Sequence, residues 1–386
     1  MANGWRTTIR QYLGCVTTGI AVLGAIPGAA AQPAMACPDL THTVPTATIK
    51  ALSHGFNLAG WMDGPRSVSP DPAVLRILHK AGMTHVRLPV LAESLMRRFT
   101  SESDLNDQLR ALDQALTLLL STGYRVSVDL HPGERFSSLH RNDAEESMKS
   151  LQEAWSHLAR IIERHPPMLV FAELLNEPDI EPARWQIEAE QLAKFVRQRL
   201  PRTTLIVSPT NWQRADSLPD FRPLNDLNVV YAIHFYDPMA FTHQGHWDPE
   251  DPLSSIRGLP FPIQAEDPAV KNIRQQLFVG EKRRALEILN NAIAQAESGD
   301  VISRQLEPAA AWQAQFSRPL IINEFGVLKG GAPGKSRARW LRSVVIFAEA
   351  RCWGWTHWEY AQGFGLLDAK TGKPDANVIR ALLDRR

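Results

Sequence analysis

Eight short apolar runs, most of them separated by helical patterns, constrain the fold of this chain more than any other feature. They fall at residues 53–59, 84–88, 125–130, 168–175, 204–208, 229–235, 320–323 and 353–358. Strands that alternate with helices lie parallel, because a parallel neighbour is reached only through a long crossover. The module is clearest in its second copy. Leu105, Leu109, Leu112, Leu116 and Leu119 recur at alternating spacings of four and three, which makes one apolar helical face. Gly123 then stands where a helix end calls for a left-handed residue, and 125–130 reads as strand. The copy before it builds a helix on Leu75 and Leu78, stops it at Gly82 and continues into Thr84-His85-Val86-Arg87-Leu88. The next runs from a helix over about 151–163 into the strand at 168–175. Eight such units predict an α/β fold, a single (β/α)8 TIM barrel. An open doubly wound sheet fits less well, since Gly55-Phe56-Asn57-Leu58-Ala59-Gly60 after the first run lacks the phosphate-loop spacing.

One segment breaks the rhythm. Residues 237–318 are too many for an ordinary barrel loop, hold Pro249, Pro252, Pro260, Pro262 and Pro268, and include a helical pattern at 282–297. The segment reads as an elaborated loop after the sixth strand, inside one catalytic domain that spans 53–386. Residues 32–52 form an N-terminal extension to that domain. Ahead of it, Arg6 and Arg10 precede an uncharged stretch at 12–31 that ends in Ala29-Ala30-Ala31, with Ala34-Met35-Ala36 as a second small-residue site. This is the pattern of a cleaved signal peptide over 1–31, so the protein is expected to be secreted or periplasmic, without stable membrane association after cleavage. An uncleaved anchor is the competing reading, opposed by Gly14, Gly19, Gly24, Pro27 and Gly28 within the run. Cys37 and Cys352 would remain after cleavage, either paired in an oxidising compartment or as two free thiols. The net charge of +1 argues against a nucleic-acid partner.

What stands at the strand ends is the functional signal. Arg87 lies in the second run, Asp129 and His131 end the third, and Asn176-Glu177 end the fourth. Asn211-Trp212 follow the fifth, His234 and Tyr236 end the sixth, Glu324 ends the seventh and Trp358 the eighth. In a barrel all of these converge on the C-terminal mouth, where barrel enzymes carry their chemistry. Two glutamates each follow an Asn out of an apolar strand, in Leu174-Leu175-Asn176-Glu177-Pro178 and Ile321-Ile322-Asn323-Glu324-Phe325-Gly326. Glycoside hydrolysis needs such a pair, one carboxyl to protonate the leaving oxygen and one to attack or to activate water. A lone Glu after a strand is more often a solvated turn; two of them in this company are not.

The ordered set Arg87, His131, Asn176-Glu177, His234-x-Tyr236, Glu324 and Trp358 resembles glycoside hydrolase family 5, the cellulase family of the retaining (β/α)8 clan. The resemblance covers about residues 53–368. It implies Glu177 as acid/base and Glu324 as nucleophile, with Asn176 on the 2-hydroxyl of the sugar beside the cleaved bond. It implies further that Arg87 and Tyr236 keep the nucleophile ionised and oriented. His131 and His234 match hydroxyl-binding or acid-supporting positions, and Trp358 a stacking platform. The chemistry agrees: a nearby Arg should lower the nucleophile's pKa, and burial beside a second carboxylate should raise the acid's. Trp61, Trp212, Trp247 and Trp358 offer flat faces to sugars or, equally well, to a core.

Two other readings compete. His131, His140, His234, His243 and His246 fall near the mouth and invite a metal-dependent hydrolase, but the first strand has no His-x-His pair, so no metal or cofactor is expected. A non-catalytic polysaccharide-binding barrel would have lost one of the two glutamates. The expected partner is a polysaccharide or oligosaccharide substrate, the expected state a monomer, and the expected reaction endo-β-1,4-glucan hydrolysis. Another β-glycan, such as a β-1,3-glucan, a mannan or an exopolysaccharide, is the alternative substrate.

Overall fold

The structure, a computed structural model, describes Cys37, Leu40 and residues 42–64 and 69–384. The expected signal segment at 1–31 lies outside the described residues. Eight parallel strands close into one barrel in sequence order. They are β1 (His54–Asn57), β2 (His85–Leu91), β3 (Arg125–His131), β4 (Val170–Glu173), β5 (Leu205–Val207), β6 (Val229–Phe235), β7 (Leu320–Phe325) and β8 (Gly354–His357). Each pairs with its neighbours in sequence, and β8 returns to β1 through Gly55↔Thr356. The fold is the (β/α)8 barrel that the alternation predicts.

The strand period of two sorts the side chains. Val86, Leu88, Val126, Val128, Val170 and Ala172 face outward into the layer shared with the helices. The leucine face of the helix Glu102–Ser121 meets them with Leu105, Leu112, Leu116 and Leu119 buried. The residues between point into the barrel and form levels. The floor is apolar, with Val44, Leu52, Phe171, Ile206, Val230, Ala232 and Ile321 in one cluster. The short helix Thr46–Ala51 closes this end, packing Ile49 and Ala51 against it. Above lies a level where His85 Nε2 is 3.0 Å from Ser127 Oγ and Nδ1 is 3.4 Å from Thr356 Oγ1. Gly55 makes room there, because a Cβ on it would come within 2.8 Å of the His85 ring. Above that level the interior is charged.

One irregularity aims the site. Along β6 and β7 the register runs Ile233↔Ile322 and then His234↔Glu324, so β7 carries one extra residue, Asn323. This bulge lets both Asn323 and Glu324 face the interior, where strict alternation would send one of them outward. The long connection from β6 to β7 holds the helices Pro268–Val279, Arg283–Glu297 and Val301–Phe316. The last of these is a regular barrel helix: Trp312 lies 4.8 Å from Tyr231 of β6 and donates to the Phe221 carbonyl at 2.7 Å. The extra structure within 237–318 therefore ends near residue 300. Cys37 and Cys352 form a disulfide, with Cα atoms 5.6 Å apart.

Candidate active site

Arg87 stands at the centre of the mouth, fully buried, and every arm of its guanidinium is used. Nε and Nη2 donate to the two oxygens of Glu173 at 2.7 and 2.8 Å. Nη1 donates to Glu324 Oε1 at 2.6 Å and to Asn57 Oδ1 at 2.9 Å. Nη2 also reaches Asn176 Oδ1 at 2.8 Å and Asp129 Oδ2 at 3.0 Å. The planar fork thus ties β1, β2, β3, β4 and β7 together, a geometry that a lysine's point charge could not copy. Burial works against the charged guanidinium, but Asp129, Glu173 and Glu324 outweigh it and hold Arg87 ionised.

The two expected catalytic carboxylates meet across this centre. An oxygen of Glu177, an oxygen of Glu324 and a nitrogen of His234 all lie within 4.8 Å of one another. Glu324 is held from two sides, by Arg87 on Oε1 and by the Tyr236 hydroxyl, which donates to Oε2 at 3.0 Å. Glu177 faces only an imidazole, with His234 Nδ1 at 2.8 Å from Oε1, while His234 Nε2 lies 3.5 Å from Glu324 Oε1. His234 is neutral, because burial and the charges of Arg87 and His131 hold its pKa well below the usual value.

Burial raises both carboxyls, and unequally. Burial pushes Glu177 well above the ordinary carboxylate range, and the charge of Glu324 pushes it further. Burial also raises Glu324, against the pull of Arg87, His131 and the Tyr236 hydrogen bond. Arg87 pulls the Glu324 pKa down as expected, but it offsets the desolvation without overcoming it. The order of the two survives, with the proton favoured on Glu177.

The remaining expected residues frame this pair. His131 Nδ1 lies 2.8 Å from Asp129 Oδ2, and Asn176 Nδ2 is 3.5 Å from His131 Nε2. Burial alone would lower the His131 pKa, but the hydrogen bond and charge of Asp129 lift it to about 9, so the ring is cationic at neutral pH. Trp358 follows β8 and stacks beside His131, with ring centroids 6.3 Å apart and planes at 17°. Behind it, Glu359 accepts the backbone N–H groups of Ala361, Gln362 and Phe364 and fixes the loop. Trp212 lies outside the hydrogen-bonded cluster, 42% exposed on the loop after β5. Trp61 packs against the core, and Trp247 is exposed, its ring tilted against His246 with centroids 4.0 Å apart. His140 leaves the mouth altogether: it is buried between helices with Nε2 at 2.7 Å from Glu188.

Sequence reasoning passed over Asn57, Glu173, Gln213 and Asn323 as site residues. Asn323 donates to Glu173 Oε1 at 2.8 Å, and Gln213 joins Asn323 to the Glu177 amide. Glu173 carried a signal, an acid two residues after Phe171 on the inward face of an apolar strand. Burial lifts its pKa to about 7, with Arg87 opposing. Gln213 carried none.

The family model described as cellulase (glycosyl hydrolase family 5) matches residues 45–363. Endoglucanase 3 of Fibrobacter succinogenes is 27% identical over 364 residues, which are 89% of this chain and 54% of that protein. Endoglucanase C of Acetivibrio thermocellus is 28% identical over 355 residues, 86% of this chain and 98% of the relative. The chain thus spans about half the length of the first and nearly all of the second. Among solved structures, the cellulose synthase subunit Z of Clostridioides difficile superposes with a TM-score of 0.69 at 21% identity, over 86% of this chain and 99% of that one. That likeness speaks for the fold.

Proposed function

The chain belongs to the cellulase family, glycosyl hydrolase family 5, and from that premise we propose that it is a secreted retaining β-glycosidase that cuts within a β-1,4-linked glucan by double displacement. The observation that carries the reading is the unequal holding of two carboxylates whose oxygens approach within 4.8 Å. A retaining pair stands about 5–5.5 Å apart, whereas an inverting pair leaves room for a water at about 6.5–9.5 Å. Glu324, braced by Arg87 and Tyr236, attacks the anomeric carbon. Glu177, kept protonated by burial and by its neighbour's charge, gives its proton to the departing oxygen. It then takes a proton from the water that opens the glycosyl-enzyme. Asn176 is placed for the 2-hydroxyl of the sugar in the centre and Trp358 for its flat face, while Trp212 offers an aromatic surface at the edge.

Export rests on the signal pattern at 1–31, and the Cys37–Cys352 disulfide suits an oxidising compartment. The enzyme is proposed to act as a monomer on polysaccharide or oligosaccharide, without metal or cofactor. Products from defined β-1,4-glucan, β-1,3-glucan and mannan oligosaccharides, followed by NMR, test the reading. Internal cleavage of the β-1,4-glucan with β-anomeric first product is expected, and Glu324→Ala should lose it. An α-anomeric first product, or near-wild-type turnover by Glu324→Ala, would refute the mechanism. Cleavage of mannan or β-1,3-glucan alone would move the substrate.

A further inference from the structure

We propose that Gln213 is the positioning residue of the acid/base, tying the strained backbone of Glu177 to the guanidinium that holds the nucleophile. The proposal rests on the reading of Glu177 as acid/base and Glu324 as nucleophile. Glu177 has φ +42°, a left-handed conformation costly for a residue with a Cβ. Its amide N–H donates to Gln213 Oε1 at 2.8 Å. Gln213 is itself fully buried and left-handed, the last of three such residues in a row, with φ 56° at Asn211, 55° at Trp212 and 56° at Gln213. Three consecutive non-glycine residues in that region persist only where their surroundings hold them. Here Asn211 Nδ2 donates to Ser217 Oγ at 3.0 Å. Arg214 bridges to β6 at His234 and pairs with Asp237 at 3.2 Å.

The other end of the Gln213 amide leads to the nucleophile. Nε2 donates to Asn323 Oδ1 at 3.3 Å, Asn323 Nδ2 donates to Glu173 Oε1, and Glu173 grips Arg87 through both of its oxygens. The amides along this chain run in one direction. Both Glu173 oxygens accept from the Arg87 guanidinium, and Oε1 also accepts from Asn323, which turns its NH2 to Glu173 and its oxygen to Gln213. Gln213 must then turn its NH2 to Asn323, which leaves its oxygen for the Glu177 amide. A polar thread thus runs from the backbone of one catalytic carboxylate to the side chain that orients the other, through β5's loop, β7, β4 and β2. The β7 bulge is what brings Asn323 into it.

A residue that aims the acid should matter where the leaving group needs a proton and little where it does not. The test compares kcat/KM of Gln213→Met on a cello-oligosaccharide and on dinitrophenyl β-cellobioside, whose phenolate leaves unaided. General acid catalysis contributes about 10²–10⁴-fold, so a loss of about 10- to 100-fold is expected on the oligosaccharide and less than about threefold on the activated substrate. Loss to the same degree on both substrates, or on neither, would overturn the proposal. If the thioether variant does not fold, Gln213→Asn, which keeps the amide but cannot span both partners, carries the same comparison. Glu324→Ala run alongside separates the two failures: if it keeps the wild-type rate, the carboxylate assignment has failed, and not the role of Gln213.

Discussion

The proton shared by the two mouth carboxylates belongs on Glu177, and single neighbours decide this. Glu324 has a guanidinium at 2.6 Å and a phenol at 3.0 Å to stabilise its charge, whereas Glu177 has one neutral imidazole and a second carboxylate. The activity profile should therefore be a bell, rising as Glu324 ionises and falling as Glu177 loses its proton. Because the charge of Glu324 is one cause of the raised Glu177 pKa, Glu324→Gln should move the Glu177 midpoint to lower pH. A carbon-13 NMR titration of that side chain in wild type and variant measures the shift. An unmoved midpoint would mean that burial alone sets it. Residue types and order made both glutamates legible in the sequence. The resemblance implied which of them holds the proton, but the rise at Glu324 was not legible, since its desolvation depends on what encloses it.

At the scale of elements, the alternation of inward and outward residues explains most of the barrel and its limits. Phe171 and Glu173 share a face of β4, so one strand serves the apolar floor and the charged mouth. The floor is a stability element remote from the chemistry. Leu52, 1% exposed within it, should cost about 2–5 kcal/mol on replacement by Ala, with kcat of the folded protein unchanged. Urea unfolding and initial rates measure both, and a fall in kcat would show that the floor is coupled to the mouth. The strand over 320–323 was readable from its apolar run, but its bulge was not. Period-two reading puts Asn323 and Glu324 on opposite faces, and it takes the pairing with β6 and β8 to reveal the extra residue.

For the whole molecule, the two ends of the barrel are divided between chemistry and closure. The disulfide joins Cys37 to Cys352 across 315 residues of sequence, on the approach to β8. Cross-linking so long a loop restricts the unfolded chain, so Cys352→Ser should lose about 2–4 kcal/mol of stability. Denaturant unfolding under oxidising conditions measures the loss, and kcat at low temperature should stay at the wild-type value. A drop in kcat with no change in stability would contradict this division. The elaborated connection after β6 packs its last helix as a regular member of the outer ring, so the insertion is smaller than its sequence length suggests.

The alternation of runs in the chain favours the barrel over an open sheet, and position at a strand end marks Arg87, His131, Asn176, Glu177, His234, Tyr236, Glu324 and Trp358 as mouth residues. Periodicity and position at a strand end are local properties, and local properties are written in the chain. Folding in three dimensions is what shares Arg87 among Glu173, Glu324, Asn57, Asn176 and Asp129, and what lets Gln213 reach both Glu177 and Asn323. Those partners come from different strands and loops, up to 237 residues from Arg87 and 110 from Gln213 in sequence. Which of a strand's polar residues meet inside a closed barrel depends on register and on one bulge, and both are set by pairing between distant segments.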